Sequence, residues 1–252
     1  MKICVLASGS KGNSTLIETK NNKILIDIGT TNIYVEKKLR LLNIDPDSID
    51  SIFITHTHVD HVSGLKVFLK KHHPKVYLTK KMYDELSLTI DINNYVIIED
   101  KIILNDLIVD YFKTSHDTND SLGYVFTDNT SSLVYVTDTG YINVKNFDKL
   151  KNKNVYIFES NHDIDLLMKN DKYPYHTKQR ILGDKGHLSN IQSAEYLNKL
   201  IGKDTKHIVL AHLSQENNTY DLALNTMREK LDKTIDIKIA LQNEMSEVIE
   251  IW

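Results

Sequence analysis

Ser51-Ile52-Phe53-Ile54-Thr55-His56-Thr57-His58-Val59-Asp60-His61 opens with a short apolar run and closes with three imidazoles and a carboxylate in six residues. Residues 51–54 read as a buried strand. Over 62–71, Val62, Leu65, Phe68 and Leu69 fall at helical spacing. The histidines therefore occupy a strand-to-helix turn, the kind of loop that carries function on a rigid scaffold. His56 and His58 are two apart on extended backbone, so their rings leave on one face. Asp60 and His61 follow as the chain turns and aim at a second point. Burying these groups is costly unless something neutralises and bonds them. A pair of divalent ions does both, because imidazole and carboxylate suit zinc, manganese and iron.

Two ions need more ligands than this turn offers, and later strand ends supply candidates. His116 follows the apolar-rich strand expected over 107–113. Val134-Tyr135-Val136-Thr137-Asp138-Thr139-Gly140 is a buried strand ending in a carboxylate before a glycine, with Asp138 placed to bridge. Ile208-Val209-Leu210-Ala211-His212 repeats that design with an imidazole. Any one of them alone is equally a hydrogen-bonded strand terminus. Leu25-Ile26-Asp27 sets a further carboxylate among apolar residues, and a buried Asp needs partners. Asp27 is expected to brace the histidine turn from behind.

The chain has 252 residues, 41% of them hydrophobic and 26% charged, with a net charge of −3. That composition describes a soluble globular protein and leaves nucleic-acid binding to local patches. Cys4 is the only cysteine, which excludes an internal disulfide and fits a reducing compartment. No export signal or long apolar span is visible, so a cytoplasmic location without membrane contact is expected.

Strands are expected over 2–7, 14–18 and 23–27, with the Gly-rich 8–14 segment as a plain hairpin turn rather than an anion cradle. Further strands fall at 75–78, 95–98, 101–104, 107–113, 123–127, 132–137, 154–158, 206–210, 235–241 and 246–251. Helices are expected over 33–42, 79–88 with Thr79 as its cap, 190–200 and 218–231. Ser189-Asn190-Ile191-Gln192 opens the third of these as a capping box. No linker or internal repeat interrupts 1–252, which reads as one α/β domain.

His56-Thr57-His58-Val59-Asp60-His61, followed by His116, Asp138 and His212 in that order, closely resembles the metallo-β-lactamase superfamily. That resemblance implies a four-layer αββα sandwich with two mixed sheets flanked by helices and a dinuclear site at its mouth. It implies His56, His58 and His116 on one ion, Asp60, His61 and His212 on the other, and Asp138 between them. Leu6-Ala7-Ser8-Gly9-Ser10-Lys11-Gly12-Asn13-Ser14, Glu159-Ser160-Asn161-His162-Asp163, the 180–190 segment and Ala211-His212-Leu213-Ser214-Gln215 look like the YycJ/WalJ group. Those bacterial proteins are regarded as metal-dependent 5′-to-3′ DNA exonucleases. One departure is Ser121, near which that group has a proline.

Two bound ions lower the pKa of a shared water and hold the scissile phosphate, with Asp60 also orienting the nucleophile. His187 is the candidate general acid, because it precedes the capped helix whose terminal N–H groups, near Ser189 and Asn190, could hold a phosphate oxygen. His162 is a candidate substrate contact. The 169–187 stretch mixes Lys169, Lys172, Lys178, Arg180 and Lys185 with Tyr173 and Tyr175. Such a mixture suits a nucleic-acid strand, DNA ahead of RNA. The alternatives are a small-molecule or cyclic phosphodiesterase on the same site, or a binding protein with a relic site. A basic, aromatic stretch favours the nuclease, and a full ligand set speaks against the relic.

Overall fold

The computed structural model describes residues 1–251. Its strands are β1 (Lys2–Ala7), β2 (Ser14–Glu18), β3 (Lys23–Ile26), β4 (Ser51–Phe53), β5 (Lys75–Leu78), β6 (Tyr95–Ile97), β7 (Ile102–Leu104), β8 (Leu107–Lys113), β9 (Leu122–Thr127), β10 (Ser132–Val136), β11 (Val155–Glu159), β12 (His207–Ala211), β13 (Asp236–Ile239) and β14 (Ile249–Glu250). The helices are α1 (Asn32–Leu41), α2 (Val59–Val62), α3 (Leu65–Lys71), α4 (Lys80–Leu86), α5 (Phe147–Leu150), α6 (Ile164–Lys169), α7 (Tyr175–Leu182), α8 (Asn190–Leu200) and α9 (Tyr220–Lys230). Two seven-stranded sheets run in the orders β14-β1-β2-β3-β4-β5-β6 and β13-β12-β11-β10-β9-β8-β7. Each is antiparallel at one end and parallel at the other, with β3 to β6 and β10 to β13 forming the parallel halves.

The parallel strands read as unbroken apolar runs because both of their faces are covered. In β11, Val155 and Ile157 face the first sheet, while Tyr156 and Phe158 pack with Leu197 of α8 and Met227 of α9. Between the sheets, Phe53 stacks on Tyr77 and meets Tyr124 and Phe126 edge-on. The outer face of the first sheet is covered by Val35 and Leu39 of α1 and Phe68 of α3. Four layers result, helix on sheet on sheet on helix, as the resemblance implied.

The expected 62–71 helix is two pieces, α2 and α3, interrupted at Ser63 and Gly64. A Cβ on Gly64 would fall 2.2 Å from the Thr30 carbonyl oxygen, so the break lets the chain press against the 28–32 turn. Helix α7 lies within the 169–187 stretch read only as basic and aromatic, and α6 ends at its first residue. Among the described residues, no helix is long and apolar enough to cross a membrane.

Candidate metal centre

Parallel pairing aligns the strand ends that matter. Val136 lies beside Phe158 and Phe158 beside Leu210, so the chains leave β10, β11 and β12 together at Asp138, Glu159 and His212. In the other sheet Ile26 pairs with Phe53, which sets Asp27 beside the 54–61 turn. Asp27, Asp138 and His212 have φ of 58°, 54° and 56°, the left-handed region that non-glycine residues seldom occupy. Such strain concentrates at functional sites and costs of order 1 kcal/mol or more for each residue. Packing tightens around the turn as well: a Cβ on Gly29 would fall 1.6 Å from the Asp60 carbonyl oxygen.

Hydrogen bonds at Nδ1 fix which nitrogen most of the histidines present. Asp27, fully buried, accepts the Thr55 N–H at 2.8 Å, the Thr55 hydroxyl at 2.7 Å and His61 Nδ1 at 2.7 Å. Because the Thr55 hydrogen goes to Asp27, His56 Nδ1 at 3.1 Å donates to the Thr55 oxygen. His116 Nδ1 donates to the Gly186 carbonyl at 3.1 Å. His212 Nδ1 lies between Asp138 Oδ1 at 2.9 Å and Glu159 Oε1 at 3.2 Å. Each of these rings is thereby held with Nε2 as the nitrogen turned inward, the arrangement in which metal-binding histidines are usually supported. His58 differs, turning Nδ1 to within 3.2 Å of His116 Nε2.

The inward-facing atoms form three overlapping groups, each within 4.8 Å: His56, His58 and His116; Asp60, His61 and His212; and His56, His61 and Asp138. All seven ligand positions expected from the sequence converge here. His56 Nε2, Asp138 Oδ2 and His212 Nε2 are buried without a hydrogen-bond partner. Asp138 Oδ2 does lie 3.0 Å from His61 Nε2, though without hydrogen-bond alignment. Burial disfavours a charged His61, yet the Asp138 and Asp27 carboxylates push its pKa up to about 10. Burial likewise opposes the charge on Asp138, but His212 and His61 hold its carboxyl well below the usual range. Without an ion, the carboxylates thus draw protons onto rings whose lone pairs a metal would use. Divalent cations would supply that charge and engage the orphaned atoms, so the donor set fits metal binding.

Glu159 was not among the expected site residues. It is fully buried, and its Oε2 accepts the Thr139 N–H at 2.9 Å and the Leu188 N–H at 3.2 Å. Oε1 receives His187 Nδ1 at 2.7 Å as well as His212. Burial would raise its pKa, but the His187 and His212 rings bring it down to about 2. Four nitrogen contacts leave its oxygens little capacity for an ion, although Asp138, Glu159, His187 and His212 also converge. Glu159 orients His187 and leaves Nε2 of that partly exposed ring free. Its signals in the sequence are a carboxylate closing an apolar strand, the design already recognised at Asp138, and its place at the head of the 159–163 segment that carries the resemblance. Asn13 was missed too; its amide nitrogen is 3.3 Å from Asp60 Oδ2 and 3.0 Å from His61 Nε2.

Several expected substrate contacts do not face a substrate. Lys178 is 8% exposed, and its ammonium donates to the Met168 carbonyl at 2.7 Å. His162 is wholly buried, and burial lowers its pKa to about 4. Asn190 is inside, accepting the Ser160 hydroxyl and pairing with Asn218. Ser189 caps α8, and the backbone N–H groups of Ser189, Asn190 and Gln192 are bonded to Gln192 Oε1, the His162 carbonyl and Ser189 Oγ. That helix end therefore has little left for a phosphate. Arg180 does reach the rim, where it pairs with Asp117 at 3.5 Å, and Asp117 lies 3.3 Å from His116 Nε2. Lys172 is exposed and pairs with Glu216.

Residues 7–212 match the model of the metallo-beta-lactamase superfamily, a span that contains every ligand position above. The chain belongs to that superfamily. It is 34% identical over 234 residues to Exodeoxyribonuclease YycJ of Bacillus anthracis, covering 91% of this chain and 88% of that protein. To Exodeoxyribonuclease WalJ of Streptococcus pneumoniae serotype 2 (strain D39) it is 36% identical over 237 residues, with the same coverage. The chain is thus a YycJ/WalJ-like metal-dependent hydrolase. Among solved structures, the metallo-beta-lactamase fold protein YhfI from Bacillus subtilis superposes with a TM-score of 0.75 at 14% identity, covering 98% of this chain and 99% of the other. Human tRNase Z, short form, gives 0.68 at 15% identity over 100% and 99%. At such identity these two speak for the fold alone.

Proposed function

We propose that this protein hydrolyses phosphodiester bonds of DNA from the 5′ end, using two divalent ions, zinc or manganese with iron also admissible. His56, His58 and His116 would hold one ion, Asp60, His61 and His212 the other, with Asp138 between them. Bound there, the ions would supply an activated water and a positive field for the scissile phosphate. The chain's own residues do the remaining work. Asp27 and Thr55 keep the rings of His56 and His61 in the required tautomer, and Asn13 steadies Asp60. Glu159 holds His187 Nδ1, so that Nε2 can carry a proton to the departing oxygen. The observation that carries the reading is the convergence of all seven expected ligands beside the Glu159–His187 pair, in a chain similar along most of its length to two exodeoxyribonucleases.

Hydrolysis of a smaller phosphodiester, such as a cyclic nucleotide, is the second reading. It gains from the burial of Lys178 and the pairing of Lys172, which leave fewer cations for a nucleic-acid backbone. A panel of 5′- and 3′-labelled single- and double-stranded DNA and RNA, run with manganese and with zinc, separates the two. Mononucleotide release from the 5′ end of DNA is expected. Hydrolysis confined to cyclic or other small phosphodiesters would replace the nuclease reading with the second one.

A further inference from the structure

A cavity of about 310 Å³ opens beside the metal centre, lined in part by Ser8, Ser214, Gln215, Asn218, Tyr220 and Gln242. We propose that it receives the base of a nucleotide flanking the scissile phosphate, an inference that rests on the nuclease reading above. The Ser8 hydroxyl accepts the His212 backbone N–H at 2.8 Å, and Ser214 follows His212 by two residues. Gly9 N–H bonds to the Asn13 side chain, which reaches Asp60 and His61 at the other end of the same loop. The 8–13 loop thus lines the cavity at its first residue, Ser8, and supports the candidate ligands at its last, Asn13. Gln242 packs so closely on this loop that a Cβ on Gly9 would meet its Oε1 at 2.5 Å.

Among the described residues, none lining the cavity carries a formal charge, so these offer a phosphate no cation and an amine no carboxylate. The amide of Asn218 is spent on Ser160, Asn161 and Asn190, but the Gln215 and Gln242 amides and the Ser214 and Tyr220 hydroxyls supply both donors and acceptors, which suits an uncharged heterocycle that has both. The volume lies within the range of small-ligand sites. Tyr220, 52% exposed at the start of α9, offers a ring face on which such a heterocycle can stack.

The test uses manganese-loaded protein and single-stranded DNA in which a tetrahydrofuran abasic analogue replaces the first or the second nucleotide from the 5′ end. Intact DNA should be cleaved about tenfold faster than one of the two analogues, the scale of a stacked base. Tyr220→Ala should shrink that ratio to about threefold or less. Equal rates on all three substrates would overturn the inference while leaving the nuclease reading in place. A preference untouched by both Tyr220→Ala and Gln242→Ala would mean that the base is read elsewhere, and would also overturn it. If no DNA were cleaved while bis(p-nitrophenyl) phosphate was, the nuclease reading would fall and the base site with it.

Discussion

Glu159→Gln is the most informative single substitution. The carboxylate receives four nitrogen contacts, from Thr139, Leu188, His187 and His212. A glutamine offers one acceptor oxygen. If that oxygen stays with the two backbone N–H groups, the amide NH₂ faces two ring nitrogens that now donate. His187 then loses a charge-assisted hydrogen bond worth about 1.5–3 kcal/mol, and its protonated form loses the anion beside it. Converted at about 1.4 kcal/mol per decade, the rate should fall about 10- to 150-fold. The contact to His212 predicts weaker metal binding as well, by roughly 10- to 100-fold. The assay is therefore kcat on DNA and on bis(p-nitrophenyl) phosphate at saturating manganese, with bound metal measured in parallel. At full metal occupancy kcat should fall on DNA, whose departing alkoxide needs the His187 proton, and change little on bis(p-nitrophenyl) phosphate, whose nitrophenolate leaves without one. A kcat on DNA within about twofold of wild type at full occupancy would refute the role given to the Glu159–His187 pair.

Three further outcomes are expected. Gly29→Ala would push a Cβ into the Asp60 carbonyl, so the purified variant should bind metal at least about tenfold more weakly by chelator competition; unchanged affinity would mean the turn tolerates the shift. Arg180→Ala should weaken binding of long DNA and flatten the log-affinity against log-salt slope by roughly 0.7–0.9; an unchanged slope would confine Arg180 to its pair with Asp117. Glu36 bonds to Lys71, Asn32 and His72, which lower its pKa from 4.5 to about 2. A depressed carboxylate stabilises the fold fully above its unfolded value and loses that contribution as pH falls through the folded one. Metal-free protein should thus weaken between about pH 4.5 and 2 partly through Glu36, and Glu36→Gln should flatten the denaturation midpoint against pH there; an identical slope would contradict the assignment.

The residues that converge on the candidate metal centre were legible because strand-end histidines and carboxylates stand out against apolar runs. The alternation of β10, β11 and β12 between two cores explains why those runs look unbroken. Glu159 closes such a run too, yet a single buried carboxylate reads as well as a structural terminus until its partners, 28 residues on at His187 and 53 on at His212, are brought to it. Lys178 shows the opposite failure. A lysine among cations suggests a charged surface, and only the packing of α6 against α7 turns its ammonium onto the Met168 carbonyl. The left-handed backbone at Asp27, Asp138 and His212 had no sequence signal, because no glycine marks those positions.

The most direct test titrates metal-free protein with manganese while following both bound ions and 5′-end DNA degradation. Both groups of ligand atoms must be filled for the chemistry proposed, so degradation should stay near zero through the first equivalent and rise with the second. Asp138→Ala should abolish the second step. Full activity at one bound ion, or degradation that survives complete chelation, would contradict a two-ion DNA hydrolase.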